Sequence, residues 1–237
     1  MKRQIYLFII LFLSFFGCSN DDETVQNIPN PTVRNIKYLA LGDSYTIGQS
    51  VCDYCRFPAQ LKDSLKNYLP DTDDISVKVV AQTGWTTTNL KNAIANENLI
   101  AEYDLVTLLI GVNNQYQNRP FSLYETEFPE LLQTAITLAK GDKNRVIVVS
   151  IPDYAFTPFG QGSSNPENIS DQIDEYNLFA KNHTESLGIE FVNITDITRE
   201  GLNHPDLVAS DNLHPSELAY SKFVERLLPI GKNILGI

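Results

Sequence analysis

The chain alternates between apolar runs and amphipathic segments from residue 36 to its end, which restricts the folds open to it. Apolar residues at successive positions of Asp104–Gly111 are typical of a strand buried in a parallel sheet. The predicted strands are Ile36–Leu41, Ile75–Gln82, Asp104–Gly111, Arg145–Pro152 and Ile189–Thr195. The predicted helices are Phe57–Leu69, Thr87–Asn96, Ser122–Lys140, Ser170–Leu187 and Ser216–Leu228. Strands that alternate with helices predict a parallel sheet covered on both sides.

Three short segments follow the first three predicted strands, and each contains a glycine. They are Gly42-Asp43-Ser44, Thr83-Gly84-Trp85 and Gly111–Asn114. The carboxyl ends of parallel strands lie at one edge of a sheet, where ligands bind. We therefore expect the three segments to form one site. Within it, Ser44 is either the cap of a helix or a nucleophile, which requires a base elsewhere in the chain.

The chain offers three histidines as candidate bases. His183 lies near the end of a predicted helix, and His204 lies in a loop without a preceding acid close in sequence. His214 follows Asp211 by three residues, in a loop that precedes the last helix. An aspartate there can accept a hydrogen bond from imidazole Nδ1 and leave Nε2 free to take a proton from a serine. The alternative is a capped turn without chemistry.

Four segments occur in the order and spacing of the GDSL, or SGNH, hydrolase family. They are GDSY at Gly42–Tyr45, the isolated Gly84, GVNN at Gly111–Asn114 and DNLH at Asp211–His214. The chain resembles this family from Ile36 to its last helix, and the first and last segments are the most specific. The resemblance implies a three-layer α/β/α, flavodoxin-like fold and hydrolysis of esters or thioesters through an acyl-enzyme.

The resemblance also implies a role for each motif residue. Ser44 is expected to be the nucleophile, His214 the base and Asp211 the acid that orients it. The oxyanion hole is expected to consist of the backbone N–H groups of Ser44 and Gly84 and the side-chain amide of Asn113, which are donors of the kind that acyl transfer requires.

Two neighbours of these residues are expected to brace the site. Asn114 stands where the family usually has aspartate, and we expect this difference to alter the bracing of its loop more than activity. Asp43 is expected to brace the serine loop through hydrogen bonds.

The amino terminus resembles a bacterial lipoprotein signal. Lys2 and Arg3 precede an apolar run of about a dozen residues, which is too short to span a membrane as a helix. Gly17 and Cys18 follow, and in such signals the cysteine is lipidated and becomes the new amino terminus. Residues 1–17 are therefore expected to be a signal peptide, with an uncleaved anchor as the alternative. Either way, we expect export, and in the lipoprotein interpretation we expect a lipid anchor at the bacterial outer membrane.

Residues 18–34 are polar, acidic and interrupted by prolines, which is typical of a flexible tether. The acidic cluster Asp21-Asp22-Glu23 resembles signals for the outer cell surface, although a solvated linker is an equally good interpretation. Residues 35–237 then form the single hydrolase domain.

Cys52 and Cys55 remain as a pair once Cys18 carries lipid. A C-x-x-C pair is a redox motif, half of a metal site or a small disulfide. We favour the disulfide, because no second cysteine pair or nearby histidine completes a metal site, and a loop separates the motif from the preceding strand.

The formal net charge of −11 argues against nucleic acid as a partner, because both carry negative charge. No metal or organic cofactor is implied. The expected partners are a small-molecule or glycan ester and, through the lipid, a membrane; we expect a monomer.

The substrate is less well specified than the reaction. Aromatic residues follow the second, third and fourth strands and either contact a sugar or acyl group or anchor their loops. One arginine lies among them and either holds an anionic substrate or has no special role. These residues are Trp85, Tyr116, Arg119, Phe121, Tyr124, Tyr154, Phe156 and Phe159. The first hypothesis is a surface carbohydrate esterase or deacetylase. The alternatives are a lysophospholipase or thioesterase and, in another class, a non-catalytic surface glycan-binding lipoprotein.

We predict that Cys18 is lipidated and that the residues before it are removed. The order of positive charge, apolar run, glycine and cysteine motivates this prediction. Mass spectrometry of membrane-associated protein should find acyl chains on an amino-terminal Cys18. An intact Met1 on most molecules would contradict it.

Overall fold

A computed structural model describes residues 33–237. The predictions for the signal peptide, for Cys18 and for almost all of the tether lie outside the described residues. Within residues 33–237, no helix is both long and apolar enough to cross a membrane.

Five parallel strands form one sheet in the order β2-β1-β3-β4-β5, which confirms the predicted α/β class. The strands are β1 (Asn35–Gly42), β2 (Asp74–Ala81), β3 (Leu105–Leu109), β4 (Val146–Val149) and β5 (Glu190–Val192). The last three strands are shorter than predicted. The apolar pattern from which they were predicted continues past the last paired residue, because residues such as Ile110 and Ile151 are buried although they are not paired in the sheet. The chain order reverses at β1, and this switch point is where open α/β sheets bind ligands.

Helices cover both faces of the sheet. They are α1 (Ser44–Ile47), α2 (Phe57–Lys66), α3 (Thr87–Asn96), α4 (Val112–Tyr116), α5 (Phe121–Leu138), α6 (Pro158–Gln161), α7 (Pro166–Ser186), α8 (Thr195–Arg199) and α9 (Glu217–Leu235). Helices α2 and α9 pack together on one face, and α5 packs between α3 and α7 on the other. The five long helices were all predicted. The short helices α1, α4, α6 and α8 were not, because four or five residues show no amphipathic period.

Aromatic rings join α5 to α7 in the core. Tyr124 is buried and lies 4.6 Å from Tyr176, while Phe121 lies 4.9 Å from Tyr176, both between ring centroids. Phe121 and Tyr124 are therefore packing residues of α5, and the expectation that they contact a sugar or acyl group was wrong. Trp85 and Phe156 also pack, partly buried, against the core.

Candidate active site

The chain turns sharply from β1 into α1 at Ser44. Gly42 lies so close to its neighbours that a Cβ atom there would be 2.5 Å from the carbonyl oxygen of Leu109. Asp43 caps the turn, because its carboxylate accepts a hydrogen bond of 3.0 Å from the N–H of Tyr45. Only 4% of Ser44 is exposed. Ser44 is therefore the first residue of α1 and does not cap it; the side-chain cap is Asp43.

A cavity of about 250 Å³ lies at this edge of the sheet. Four of the five residues that were given a catalytic or oxyanion role from the sequence line it: Ser44, Gly84, Asn113 and His214. The ends of β1, β2 and β3 therefore meet as expected, and the loop before α9 joins them. Within residues 33–237, no hydrogen bond joins Ser44 Oγ to the His214 ring. Such bonds are often long before a substrate binds.

His214 is held by Asp211. Its Nδ1 lies 2.6 Å from Asp211 Oδ2, and Asp211 Oδ1 accepts hydrogen bonds from the backbone N–H groups of Leu213 and His214. The loop closes on itself, because Ala209 N–H donates to the carbonyl of His214 at 2.7 Å. This leaves the other ring nitrogen, Nε2, outside the Asp211 contact.

Ser50 is a partner of this pair that sequence reasoning missed. Its hydroxyl donates to Asp211 Oδ2 at 2.6 Å, across 161 positions of sequence. Burial raises the pKa of Asp211, but the hydrogen bonds from Ser50, His214 and Leu213 outweigh it and lower the pKa to about 2. The carboxylate is therefore ionised at neutral pH and can stabilise an imidazolium at His214.

The Ser50 loop carries the cysteine pair. Cys52 and Cys55 are joined by a disulfide with Cα atoms 5.0 Å apart. The disulfide encloses a short loop that starts two residues after Ser50. The described residues contain no cluster of three or more His, Cys, Asp or Glu side chains that suits a metal ion.

Gly84 adopts a left-handed backbone with a φ of +83°, a conformation that L side chains rarely adopt. Its carbonyl accepts a hydrogen bond of 2.8 Å from Gln117 Nε2, so the loop after β3 holds the loop after β2. This contact fixes the orientation of the peptide between Gly84 and Trp85 at the edge of the cavity.

Asn113 carries a buried side-chain nitrogen that has no hydrogen-bond partner within residues 33–237. Because Asn113 also lines the cavity, this amide is available as a donor to a bound group. Burial raises the pKa of the neighbouring Asp43 to about 7, and the Tyr45 N–H and the Asn113 amide act in the opposite direction. The amide is thus close to Asp43, although no hydrogen bond of good geometry joins the two side chains.

Asn114 is hydrogen-bonded to Thr87 through both the oxygen and the nitrogen of its side-chain amide. Its Oδ1 accepts the N–H of Thr87 at 2.9 Å, and its Nδ2 donates to Thr87 Oγ1 at 2.7 Å. An aspartate can accept the first bond but cannot donate the second. This residue therefore ties the loop of Asn113 to the start of α3, as expected for a bracing role.

The other two histidines and Arg119 lie away from the cavity. His183 stacks on Phe179 with ring centroids 6.2 Å apart, and His204 lines a separate, charged cavity. Arg119 is exposed and lies outside the lining of the 250 Å³ cavity. Among the loop aromatics, Tyr116, Tyr154 and Phe159 do line it.

Comparison with known families identifies the chain. The sequence profile of the GDSL-like lipase/acylhydrolase family matches residues 40–222, which include all of the residues placed at the cavity. The chain belongs to this family. It is a serine ester hydrolase. A search of curated proteins found no significant match.

Several solved structures share the fold of this GDSL hydrolase. An acetyl xylan esterase from Geobacillus stearothermophilus is 20% identical with a TM-score of 0.63, over 84% of this chain and 95% of that one. A lipase/acylhydrolase from Enterococcus faecalis is 22% identical with a TM-score of 0.62, over 84% and 96%. A G-D-S-L lipolytic protein from Veillonella parvula is 19% identical with a TM-score of 0.61, over 82% and 97%.

We predict that Ser50→Gly raises the pKa of Asp211 and lowers kcat/KM by about three- to tenfold, because a hydrogen bond to a charged group is lost. Glycine suits the φ of +68° at this position. The lowered pKa of Asp211 means that the ionised carboxylate stabilises the folded protein above about pH 4. The difference in free energy of unfolding between the unsubstituted protein and Ser50→Gly should therefore shrink as pH falls from about 4 to 2.

Carbon-13 NMR titration measures the pKa of Asp211, and unfolding at each pH measures the free energy of unfolding. Asn98→Gly is the matched control, since Asn98 is exposed and also has a positive φ. An unchanged pKa of Asp211 in Ser50→Gly would contradict the assignment.

Proposed function

We propose that the enzyme removes acetyl or similarly small acyl groups from carbohydrates, with Ser44 as the nucleophile, His214 as the base and Asp211 as the orienting acid. The convergence of Ser44, Asn113 and His214 on one cavity carries this proposal. In the chain these residues are far apart, and nothing about packing requires a serine, an amide and a histidine to share a small cavity.

The reaction begins when Ser44 Oγ attacks the acyl carbon while His214 Nε2 takes the hydroxyl proton. The carbonyl oxygen becomes negative and accepts hydrogen bonds from the N–H groups of Ser44 and Gly84 and from the Asn113 amide. The loss of one such donor typically costs on the order of 10²–10³ in rate.

The leaving alcohol then departs with the proton held by His214. Water attacks the acyl-enzyme, and His214 takes a proton from that water as its oxygen bonds to the acyl carbon. The C–O bond to Ser44 breaks, the proton returns to Oγ, and the carboxylic acid leaves. Asp211 stabilises the imidazolium in both halves of the cycle.

The size of the cavity supports a small acyl group. Its apolar walls come from Val112, Leu213 and the rings around them, and its volume of about 250 Å³ suits a small acyl group next to Ser44. A longer chain would have to continue past Tyr154 and Phe159 into a space lined by amide side chains. Two exposed rings, Tyr116 and Phe159, stand at its rim and suit the apolar face of a sugar. One solved structure of this fold is an acetyl xylan esterase, which is consistent with the proposal.

A lysophospholipase or thioesterase is the alternative. The mainly apolar lining of the cavity favours it, because such a wall also suits part of an acyl chain. The rate at which the enzyme hydrolyses esters with longer acyl chains distinguishes the two proposals.

We also propose that the enzyme is exported and is anchored at the bacterial outer membrane through lipid on Cys18. The signal-like amino terminus supports this proposal. A membrane-anchored esterase would act on glycans at or outside the cell envelope.

Rates on p-nitrophenyl acetate, butyrate, octanoate and palmitate test the proposal. We predict that kcat/KM is highest for acetate and falls by about tenfold or more between butyrate and octanoate, because the longer chain extends beyond the apolar walls of the cavity. Ser44→Ala corrects for background hydrolysis. Rates that rise with chain length would overturn the carbohydrate proposal in favour of the lipolytic one.

A further inference from the structure

A second cavity, of about 700 Å³, adjoins the catalytic one. The two cavities share Tyr116, Tyr154 and Phe159, so a molecule can extend from one into the other past these rings. The volume lies within the range of ligand sites and exceeds the need of a small acyl group. This space therefore lies where the alcohol part of an ester would continue.

The lining of this second cavity contains no charged side chain and is rich in amides. The amide residues are Gln115, Asn118, Asn165, Asn168 and Gln172. Each side-chain amide supplies both donors and an acceptor, which matches the mixed donors and acceptors of sugar hydroxyls. A phosphate, a carboxylate or a lipid headgroup would find no cationic partner in this lining.

A chain of hydrogen bonds sets the orientation of two of these amides, Gln115 and Gln172. Gln115 is 7% exposed; its Oε1 accepts the hydroxyl of Tyr154 at 2.9 Å, and its Nε2 donates to Gln172 Oε1 at 2.7 Å. Because Gln172 Oε1 is used in this way, its amide nitrogen is the group left to donate to a ligand. These two amides are therefore oriented before any ligand arrives, which lowers the entropy cost of binding to them.

Two exposed rings separate the cavities. Tyr116 is 53% exposed and Phe159 is 44% exposed, with their ring centroids 6.2 Å apart. Large exposed aromatic surface next to amides suits the C–H faces and hydroxyls of a sugar ring.

Helix α6, which carries Phe159, is bonded to the loop of His214. The N–H of Phe159 donates to the carbonyl of Asn212 at 3.0 Å, and Asn212 lies between Asp211 and His214. A ligand that contacts Phe159 therefore lies next to the loop of the histidine. Charged side chains adjoin this cavity but do not line it: Arg119 and Glu175 line a smaller cavity that shares Gln115, Asn118 and Gln172 with it.

We propose that the 700 Å³ cavity is a subsite for the sugar units next to the acylated one, so that the substrate is an uncharged oligosaccharide or polysaccharide. This inference rests on the proposed carbohydrate esterase function. It adds that a single acetylated sugar is a poor substrate and that acidic glycans bind weakly here.

The test compares kcat/KM for an acetylated monosaccharide, an acetylated xylotriose and an acetylated trigalacturonate, with p-nitrophenyl acetate as reference. We expect the neutral trisaccharide to exceed the monosaccharide by about tenfold or more, as one or two added hydrogen bonds and a stacked ring would provide. The acidic trisaccharide should show no such advantage.

Asn168→Ala should reduce the trisaccharide advantage about fivefold, as expected for one hydrogen bond. The side chain of Asn168 makes no hydrogen bond within residues 33–237, so its removal leaves the α7 cap from Asn165 intact. Asn168→Ala/Gln172→Ala should reduce the advantage further, and the single variant keeps the test valid where the double variant misfolds. Asn182→Ala is the matched control, since Asn182 is exposed on the same helix outside the cavity.

Equal kcat/KM for the monosaccharide and the neutral trisaccharide would overturn the subsite and leave the proposed function intact. Hydrolysis of p-nitrophenyl acetate with no hydrolysis of any sugar acetate would overturn both. Binding of unacetylated xylotriose to Ser44→Ala, measured by calorimetry and weakened in Ser44→Ala/Asn168→Ala, would support the subsite independently of turnover.

Discussion

The site depends on the parallel pairing of β1 with both β2 and β3. The register aligns Gly42 with Ala81 on one side and with Leu109 on the other, so three strands end at the same level. The loops that follow must then emerge side by side. Each loop delivers one element of the site: Ser44, Gly84 and Asn113. A register shift in either pair would separate them, and the catalytic arrangement would be lost without any change in composition.

The histidine reaches this edge by a different route. It belongs to a loop before the last helix, and its position comes from local hydrogen bonds rather than from the sheet. Asp211 binds both the ring and the backbone of His214, and Ser50 holds Asp211 from the far side. His214 is therefore supported from two distant parts of the chain. The serine loop thereby contributes both Ser44 and, six residues later, Ser50, which contacts Asp211.

Much of the fold and the residue types of the site follow from local patterns. Strand and helix periods located all five strands and all five long helices, and the spacing of Asp211 and His214 pointed to their contact. The short helices at the strand ends were missed because they are too short to show a period. Ser50, Gln117 and Gln115 were missed for another reason: their partners are distant in sequence, and a serine or glutamine in a loop has no local signal. The aromatic residues show the same limit, since the sequence did not separate Tyr116, which lines the cavity, from Tyr124, which packs in the core.

The central claim is that Ser44 attacks an acyl carbon with the help of His214. The most direct measurement is mass spectrometry of the protein after reaction with a fluorophosphonate, which forms a stable bond to an activated serine hydroxyl. The account predicts a single adduct on Ser44 in the unsubstituted protein and in His204→Ala, much slower labelling in His214→Ala, and no adduct in folded Ser44→Ala. An adduct at the same rate on folded Ser44→Ala, or equal labelling in His214→Ala, would contradict it.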